Sequence, residues 1–290
     1  MIGKLKVLIK YGREKAQADG IMLGLILVFC IILENLDIYV RRLDSRRRKM
    51  PSILINTVPK SGSMFIQNSL EVRCGLHSVI TGDHGFPYAP LHDLKLKKFA
   101  IGCAIDQGHY MPSVKNLTLL KKYCINKIVV HFRDPRQVLV SWVYYADKYN
   151  ETHNLFAFED IDIPLDYFGK LFEKKMDIMI DLYYPHFVGF IDSWLSYKRD
   201  GVQKWGIEVL ITEFRKMKNE PDSFFDEICA FYGIDQFGSH RLNIDSAAAH
   251  SHDRKGELEE WRQVLTPDQI MRTSLMITDE MAQRFGWSIQ

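Results

Sequence analysis

Residues 52–66 read SILINTVPKSGSMFI, and this stretch predicts how the chain folds and what it binds. An apolar segment leads into a turn that contains Lys60, Ser61, Gly62 and Ser63, and a helical pattern follows. Small residues let backbone N–H groups turn toward an anion, and the following helix directs the positive end of its dipole at the same place. Lys60 adds a positive charge and the two serines add hydroxyl donors. The stretch therefore predicts a strand, a loop that binds phosphate or sulfate, and a helix.

This loop differs from the common nucleotide-triphosphate loop. That loop requires the pattern G-x-x-x-x-G-K-[ST], whereas Lys60 precedes the only glycine of the turn. Taken alone, Pro-Lys-Ser-Gly also fits an ordinary turn. The rest of the chain has to decide between the two interpretations.

Composition allows one sizeable domain and excludes few functions. The chain has 290 residues, of which 47% are hydrophobic, enough for a full core. A net charge of +2 gives no argument for nucleic acid, so we expect no nucleic-acid partner. The five cysteines are dispersed without C-x-x-C spacing, which favours reduced thiols over a disulfide framework or a zinc site.

The first 49 residues form a separate segment. Residues 21–33 are an uncharged run of 13 residues, shorter than the roughly 20 that span a bilayer, with basic residues on both sides. We expect 1–49 to be a helical appendage that attaches the protein to a membrane as a short anchor or an interfacial helix. A helix packed on the domain is the alternative, with the basic run at 46–49 as a solvated linker.

Localisation follows from this segment. Basic residues flank the apolar run about equally, so they indicate no orientation. We expect a cytoplasmic, membrane-associated protein. The alternative is a type II membrane protein of the Golgi lumen, in which Asn116 and Asn150, the heads of two N-x-[ST] triplets, would carry glycans.

Beyond residue 50, apolar strands alternate with helical patterns. The predicted strands are 53–55, 99–105, 127–132 and 208–211, and a long helical region at 168–194 is expected to break near Pro185. A further helical face ends at Gly233. This order predicts an α/β fold: a single domain, residues 50–290, with a central parallel β-sheet flanked by helices. Parallel sheets bind ligands at the carboxyl ends of their strands.

Two further segments carry anion-binding residues. Arg133 directly follows the predicted strand 127–132, and Ser141 comes eight residues later on a helix. An arginine and a serine in these places can bind the same phosphate; an ordinary turn with Ser141 in the core is the alternative. The segment Arg254-Lys255-Gly256 precedes an acidic helix start and fits either a phosphate-closing loop or a charged surface turn.

In their order and spacing, the three segments closely resemble the PAPS-dependent sulfotransferase family, whose members move a sulfuryl group from 3′-phosphoadenosine 5′-phosphosulfate (PAPS) to a hydroxyl or amine. The match covers about 52–266, and Trp261 falls where the family places a tryptophan. It implies a P-loop-like nucleotide-binding architecture. The donor-binding residues that it implies are Lys60, Ser61, Gly62, Ser63, Met64, Phe65, Arg133, Ser141, Thr212, Arg254, Lys255 and Gly256.

The resemblance also implies a catalytic pair. His109, in the segment 108–112, stands where the family carries its histidine base, and a histidine can accept a proton near neutral pH. Lys60 would offset charge on the departing nucleotide. The implied reaction is a direct in-line transfer that needs no metal.

Three positions depart from the family pattern. Phe65 stands in place of a tryptophan, Met64 in place of a threonine, and Thr212 where many members have a tyrosine that contacts adenine. Each departure is expected to weaken donor binding without removing a group that performs the chemistry.

The acceptor is open among small molecules, lipids and carbohydrates. Its pocket is expected from 81–90, the residues after His109, and 144–167. Five tyrosines fit either the pocket or the core: Tyr88, Tyr110, Tyr144, Tyr145 and Tyr149. Two other functions are considered: a nucleotide kinase, which would need a magnesium-binding acid, and a non-catalytic nucleotide-binding or membrane-scaffold protein.

Overall fold

The structure, a computed structural model, describes residues 49–83, 85–87, 89–151, 163–234 and 256–287, together with residues 43 and 47. Its centre is a parallel sheet with the strand order β2-β3-β1-β4-β5. The strands are β1 (Ile53–Thr57), β2 (His77–Ser78), β3 (Ala104–Gly108), β4 (Lys127–Phe132) and β5 (Glu208–Glu213).

The residues of β1 are all buried, as expected for a strand covered on both faces. Because side chains alternate along a strand, Leu54 enters one hydrophobic core, whereas Ile53 and Ile55 enter another on the opposite face. The sheet therefore separates two cores, and helices cover both.

The helices of the described residues connect and flank these strands. They are α1 (Ser63–Cys74), α2 (Asp93–Phe99), α3 (Val114–Lys122), α4 (Pro135–Glu151), α5 (Phe172–Leu182), α6 (Tyr184–Ser196), α7 (Val202–Trp205), α8 (Phe214–Asn219), α9 (Pro221–Phe231), α10 (Trp261–Val264), α11 (Pro267–Ser274) and α12 (Asp279–Phe285). A 3-10 turn at Tyr167–Gly169 precedes α5, and a π-helical turn at Tyr197–Gly201 joins α6 to α7.

The structure confirms the predicted α/β class and parallel sheet, and it corrects one strand. The strand predicted at 99–105 is wrong in its bounds, because Phe99 is the buried end of α2 and β3 begins only at Ala104. Between them the chain turns through Gly102 (φ 104°) and Cys103 (φ 57°). The apolar run thus combines the end of one element with the start of the next.

The predicted helix break is confirmed, since Tyr183 separates α5 from α6 and Pro185 lies in the first turn of α6. The predicted stop after α9 is confirmed as well, because Gly233 adopts φ 69°.

Little of the N-terminal segment belongs to the described residues, and the run 21–33 lies outside them. Within the described part of the chain, no helix combines the length and the apolar character needed to cross a membrane. Asn116 is buried, with Nδ2 donating to the Met111 carbonyl at 3.0 Å and Oδ1 accepting from Leu91 N–H at 3.1 Å. A glycan on this nitrogen does not fit the folded protein; Asn150 has no described side chain.

Candidate functional site

The predicted site residues follow the carboxyl ends of neighbouring strands. The anion loop leaves the end of β1, His109 directly follows β3, and Arg133 directly follows β4. In the sheet, Asn56 is paired with Gly108 and Thr57 with His131. The three strand ends therefore meet at one edge, as expected for a parallel sheet.

The loop after β1 has two residues with left-handed backbone. Lys60 has φ 60° and Gly62, which immediately precedes α1, has φ 82°. A Cβ atom at position 62 would lie 2.8 Å from Met217 Cε, the movable end of a flexible side chain, so the backbone conformation is what favours glycine here. Ser61 is buried and its hydroxyl donates to the Val58 carbonyl at 2.6 Å, which closes the turn.

Two consecutive carbonyl groups of this loop are contacted by side chains from β4 and from the residue that directly follows it. Arg133 Nη1 donates to the Lys60 carbonyl at 2.7 Å, and His131 Nε2 lies 3.1 Å from the Ser61 carbonyl. In a trans peptide the N–H points opposite to the C=O of the same unit. The N–H groups of Ser61 and Gly62 therefore point away from these two side chains. Together with the first N–H groups of α1, they form the kind of nest that binds anions.

His131 is neutral, and its proton lies on one nitrogen. Burial, helped by the charge of Arg133, lowers the pKa of His131 to about 3. Because the Ser61 carbonyl can only accept, Nε2 carries the hydrogen. Nδ1 then accepts from the hydroxyl of Thr212, 2.9 Å away. Thr212 is buried, so its hydroxyl supports the loop through His131.

The orientation of His109 is fixed in the same way. Its Nδ1 lies 2.7 Å from the Thr57 carbonyl, which can only accept, so Nδ1 carries the hydrogen and Nε2 keeps the lone pair. The neighbouring backbone is clamped by Asn56, which accepts from Tyr110 N–H at 2.7 Å and donates to the Tyr110 carbonyl at 2.8 Å. Trp194 Nε1 donates to the same carbonyl at 2.9 Å.

A row of ring contacts joins Lys60 to His109. The Lys60 ammonium lies 4.1 Å from the centroid of the Tyr145 ring, and Tyr145 lies 5.5 Å from Trp142. Phe86 contacts Trp142 at 6.4 Å and meets His109 edge-on at 6.1 Å, both measured between centroids. The lysine and the histidine therefore border one aromatic-lined region.

The C-terminal segment meets the anion loop at Arg133. The guanidinium of Arg133 lies 4.0 Å from the centroid of Phe214, and its Nη2 donates to the Glu257 carbonyl. Gly256 has φ 62° and its carbonyl accepts from Lys218 Nζ at 2.6 Å. Arg133 thus bridges the anion loop and the turn at 256–257.

Trp261 anchors the following helix to the start of α4. Its ring centroid lies 3.9 Å from the Arg136 guanidinium, and its backbone N–H donates to Gln137 Oε1 at 3.1 Å. Arg136 is itself paired with Asp134 at 2.7 Å. These contacts hold the C-terminal segment at the same edge of the sheet as Arg133.

Comparison with known proteins agrees with this arrangement. The family model of the sulfotransferase domain matches residues 50–285. The chain belongs to the sulfotransferase domain family. Among solved structures, the crystal structure of mouse sulfotransferase SULT7A1 complexed with PAP is similar, with a TM-score of 0.55 and 18% sequence identity, covering 82% of this chain and 86% of that chain. At this identity the likeness shows the shared fold. A search of curated proteins found no match.

The sulfotransferase fold brings most of the predicted donor-site residues together. Lys60, Ser61, Gly62 and the start of α1 form one loop, and Thr212 joins it through His131. Ser63 is the first residue of α1. Arg254 and Lys255 lie outside the described residues, whereas Gly256 lies beside the Arg133 contact.

Three further predicted residues lie on helices: Met64 and Phe65 on α1, and Ser141 on α4. Ser141 is half-buried on α4. Met64 is 38% exposed, with its sulfur 3.7 Å from Gln107 Nε2, and Phe65 is half-buried with its ring 6.0 Å from that of Phe225. Their roles in donor binding stay predictions.

Of the tyrosines suggested for the acceptor pocket, Tyr110 belongs to the core. It is buried and its hydroxyl contacts Asp106 at 3.2 Å. Tyr145 lies at the site through Lys60, and Tyr144 packs on Phe172 with centroids 4.9 Å apart. Tyr88 and the side chain of Tyr149 lie outside the described residues.

The sequence interpretation missed two residues that shape the site, Asn56 and His131, and it did not single out Phe86 within the predicted pocket segment 81–90. Asn56 and His131 had a detectable signal, because each is a polar residue inside an otherwise apolar strand, and buried polar groups need partners. Phe86 had none, since an aromatic residue in a loop looks the same whether it faces the site or not.

Proposed function

We propose that this sulfotransferase domain moves a sulfuryl group from PAPS to a hydroxyl or amine of its acceptor, with His109 as the base. The main observation behind the proposal is that the base and the anion loop are both held at the carboxyl end of β1. His109 is fixed to the Thr57 carbonyl at the end of β1, and the loop with Lys60 leaves the same strand end. A base and an anion site held by one strand suit transfer of an anionic group.

The donor fits the residues present. The N–H groups of Ser61 and Gly62 and the start of α1 would hold the 5′-phosphate, since they form the anion nest described above. Arg133, Ser141, Arg254, Lys255 and Gly256 would hold the 3′-phosphate. Phe65 would contact the adenine, with less stacking area than a tryptophan offers.

The proposed reaction gives one role each to two side chains, His109 and Lys60. PAPS supplies a sulfuryl group on an activated phosphosulfate. The acceptor oxygen forms a bond to sulfur, its proton passes to His109 Nε2, and the bond between sulfur and the bridging oxygen breaks. Lys60 offsets the negative charge left on the nucleotide. The pre-formed loop keeps reorganisation small.

The acceptor class stays open among small molecules, lipids and carbohydrates. The described residues contain no group of three or more His, Cys, Asp or Glu side chains placed to hold a metal ion. Independence from metal stays a prediction, which turnover in the presence of a chelator checks. Retained turnover under chelation also separates this function from a magnesium-dependent kinase.

The first experiment is titration calorimetry of the protein with adenosine 3′,5′-bisphosphate (PAP), with the 5′-monophosphate as control. We expect a clear preference for the bisphosphate, because Arg133 and the 256–257 turn meet beside the anion loop. Equal affinity for the two nucleotides would contradict the 3′-phosphate assignment.

The second experiment separates binding from chemistry. His109→Ala should retain PAP binding and lose sulfuryl transfer by about 10²-fold or more, the usual contribution of a general base. His92→Ala is the matched control, since His92 is an exposed histidine paired with Asp83 at 2.7 Å. Full activity of His109→Ala would contradict the assignment of His109 as the base, whereas PAP binding without any transfer by the unmodified protein would favour a non-catalytic nucleotide-binding protein.

Residues 50–290 are proposed as the transferase domain and 1–49 as the membrane-attaching segment on the cytoplasmic side. The domain start agrees with the family match at residue 50. The lumenal alternative is less favoured, because Asn116 is buried and hydrogen-bonded.

A further inference from the structure

The anion loop is oriented by hydrogen bonds that its own backbone does not supply. The Lys60 carbonyl accepts from Arg133 and the Ser61 carbonyl accepts from His131. Because each carbonyl is turned toward β4, the N–H of the same peptide unit is turned toward the anion site. Whatever fixes these carbonyls therefore also fixes the donors that meet the 5′-phosphate.

His131 is itself fixed from a third strand. It is paired in the sheet with Thr212 of β5, whose hydroxyl lies 2.9 Å from His131 Nδ1. His131 and Thr212 are 0% and 3% exposed, so solvent does not compete for these bonds. The ring of Phe224 meets the imidazole edge-on at a centroid distance of 5.4 Å and limits its rotation.

We propose that His131, held by Thr212, is a positioning residue that orients the Ser61 carbonyl and thereby presents the loop N–H groups to the 5′-phosphate of the donor. This inference rests on the proposed function and deepens it. It predicts that replacing His131 or Thr212 weakens binding of the 5′-phosphate and leaves binding of the 3′-phosphate unchanged.

The chemistry of the imidazole suits this role. The Ser61 carbonyl needs a donor and the Thr212 hydroxyl can supply a hydrogen to the other nitrogen, so a neutral ring satisfies both neighbours. The positive charge of Arg133 nearby opposes protonation of His131. The loop therefore keeps one orientation through the neutral pH range.

The test measures affinity for three nucleotides: PAP, adenosine 5′-monophosphate and adenosine 3′-monophosphate. Calorimetry is direct for PAP and uses competition against PAP for the two monophosphates. His131→Leu removes the donor to Ser61. We expect it to weaken PAP and the 5′-monophosphate about tenfold, the effect of a hydrogen bond of about 1.4 kcal/mol, and to leave the 3′-monophosphate within about twofold.

Two conservative variants keep the test informative if His131→Leu does not fold. His131→Gln restores an N–H donor and should recover most of the affinity for the 5′-monophosphate. Thr212→Val keeps volume while removing the hydroxyl, and should weaken PAP and the 5′-monophosphate by about threefold, less than His131→Leu, because the imidazole loses the partner of Nδ1 but keeps its bond to the Ser61 carbonyl. Leu120→Ala, in the other core cluster, is the control for general destabilisation.

The outcomes separate this inference from the function on which it rests. If the unmodified protein binds none of the three nucleotides, the proposed function is wrong and the inference is wrong with it. If the unmodified protein binds PAP and the three site variants do so equally well, only the inference is wrong. A loss of affinity that is the same for all three nucleotides, as a merely destabilised fold would give, also overturns it.

Discussion

The Lys60 ammonium lies 4.1 Å from the centroid of the Tyr145 ring, four residues after Ser141 on α4. A lysine over an aromatic face gains about 1 kcal/mol, which limits the rotation of a long, flexible side chain. We expect Tyr145→Leu to lower kcat about fivefold, because Lys60 is then less well placed to offset charge on the nucleotide. Tyr145→Phe keeps the ring and should stay within about twofold of the unmodified enzyme.

Steady-state kinetics with the two Tyr145 variants decide the point. If leucine and phenylalanine lower kcat equally, the phenol hydroxyl is what matters and the ring has no role at Lys60. If neither changes kcat, Lys60 is positioned by other contacts.

Asn56 shows how a single amide holds the segment that carries the base. Both of its polar atoms are bonded to the backbone of Tyr110, and the residue is 1% exposed. Asn56→Asp is isosteric, but it places a carboxylate oxygen against the Tyr110 carbonyl, where a donor is needed. We expect a loss of about 3 kcal/mol in the free energy of unfolding. Asn68→Asp, on the partly exposed face of α1, is the control, and urea denaturation is the measurement.

At the scale of elements, His131 in β4 makes the free energy of unfolding depend on pH. Its folded-state pKa is lowered to about 3 by burial, whereas an unfolded histidine has a pKa of about 6.5. The unfolded chain therefore binds the extra proton between these values, and folded-state stability falls as the pH falls below about 6.5. From pH 7.5 to 5.0 this histidine should cost about 2 kcal/mol of unfolding free energy.

The comparison of His131→Gln with the unmodified protein isolates this contribution. Other groups titrate too; for example, burial raises the pKa of Glu213, which acts in the opposite direction. Since those groups are common to both proteins, the difference between their pH slopes reports on His131. Equal slopes in urea denaturation at pH 7.5 and 5.0 would contradict a neutral buried imidazole.

Helices and strands could be predicted where a few consecutive residues specify them. The strand 127–132 and the break before α6 follow from short apolar runs and a proline. The contacts that build the site are not local: Asn56 meets Tyr110 across 54 residues and His131 meets Ser61 across 70. A sequence pattern can show that Asn56 and His131 are polar residues in buried strands, but only the folded sheet shows which carbonyl each one holds.

At the scale of the whole molecule, residue 50 is the proposed start of the domain. The Met50 carbonyl accepts from Cys103 N–H at 2.9 Å, β1 starts at Ile53, and the family match starts at residue 50. We expect a fragment of residues 49–290 to fold and to bind PAP with the affinity of the full chain. Calorimetry on both proteins checks this, and loss of solubility in the fragment would show that residues 21–33 pack on the domain instead.

The same pair of proteins tests the N-terminal segment. An apolar run flanked by basic residues binds anionic bilayers through buried apolar area and charge attraction, each basic residue near the surface contributing about 1 kcal/mol. The full chain should float with vesicles that contain phosphatidylserine, while the fragment stays in the protein fraction. A smaller fraction of the full chain should float with vesicles of phosphatidylcholine alone. Flotation of the fragment would place the membrane contact on the domain itself. A full chain that floats with neither vesicle would assign residues 1–49 a role other than membrane attachment.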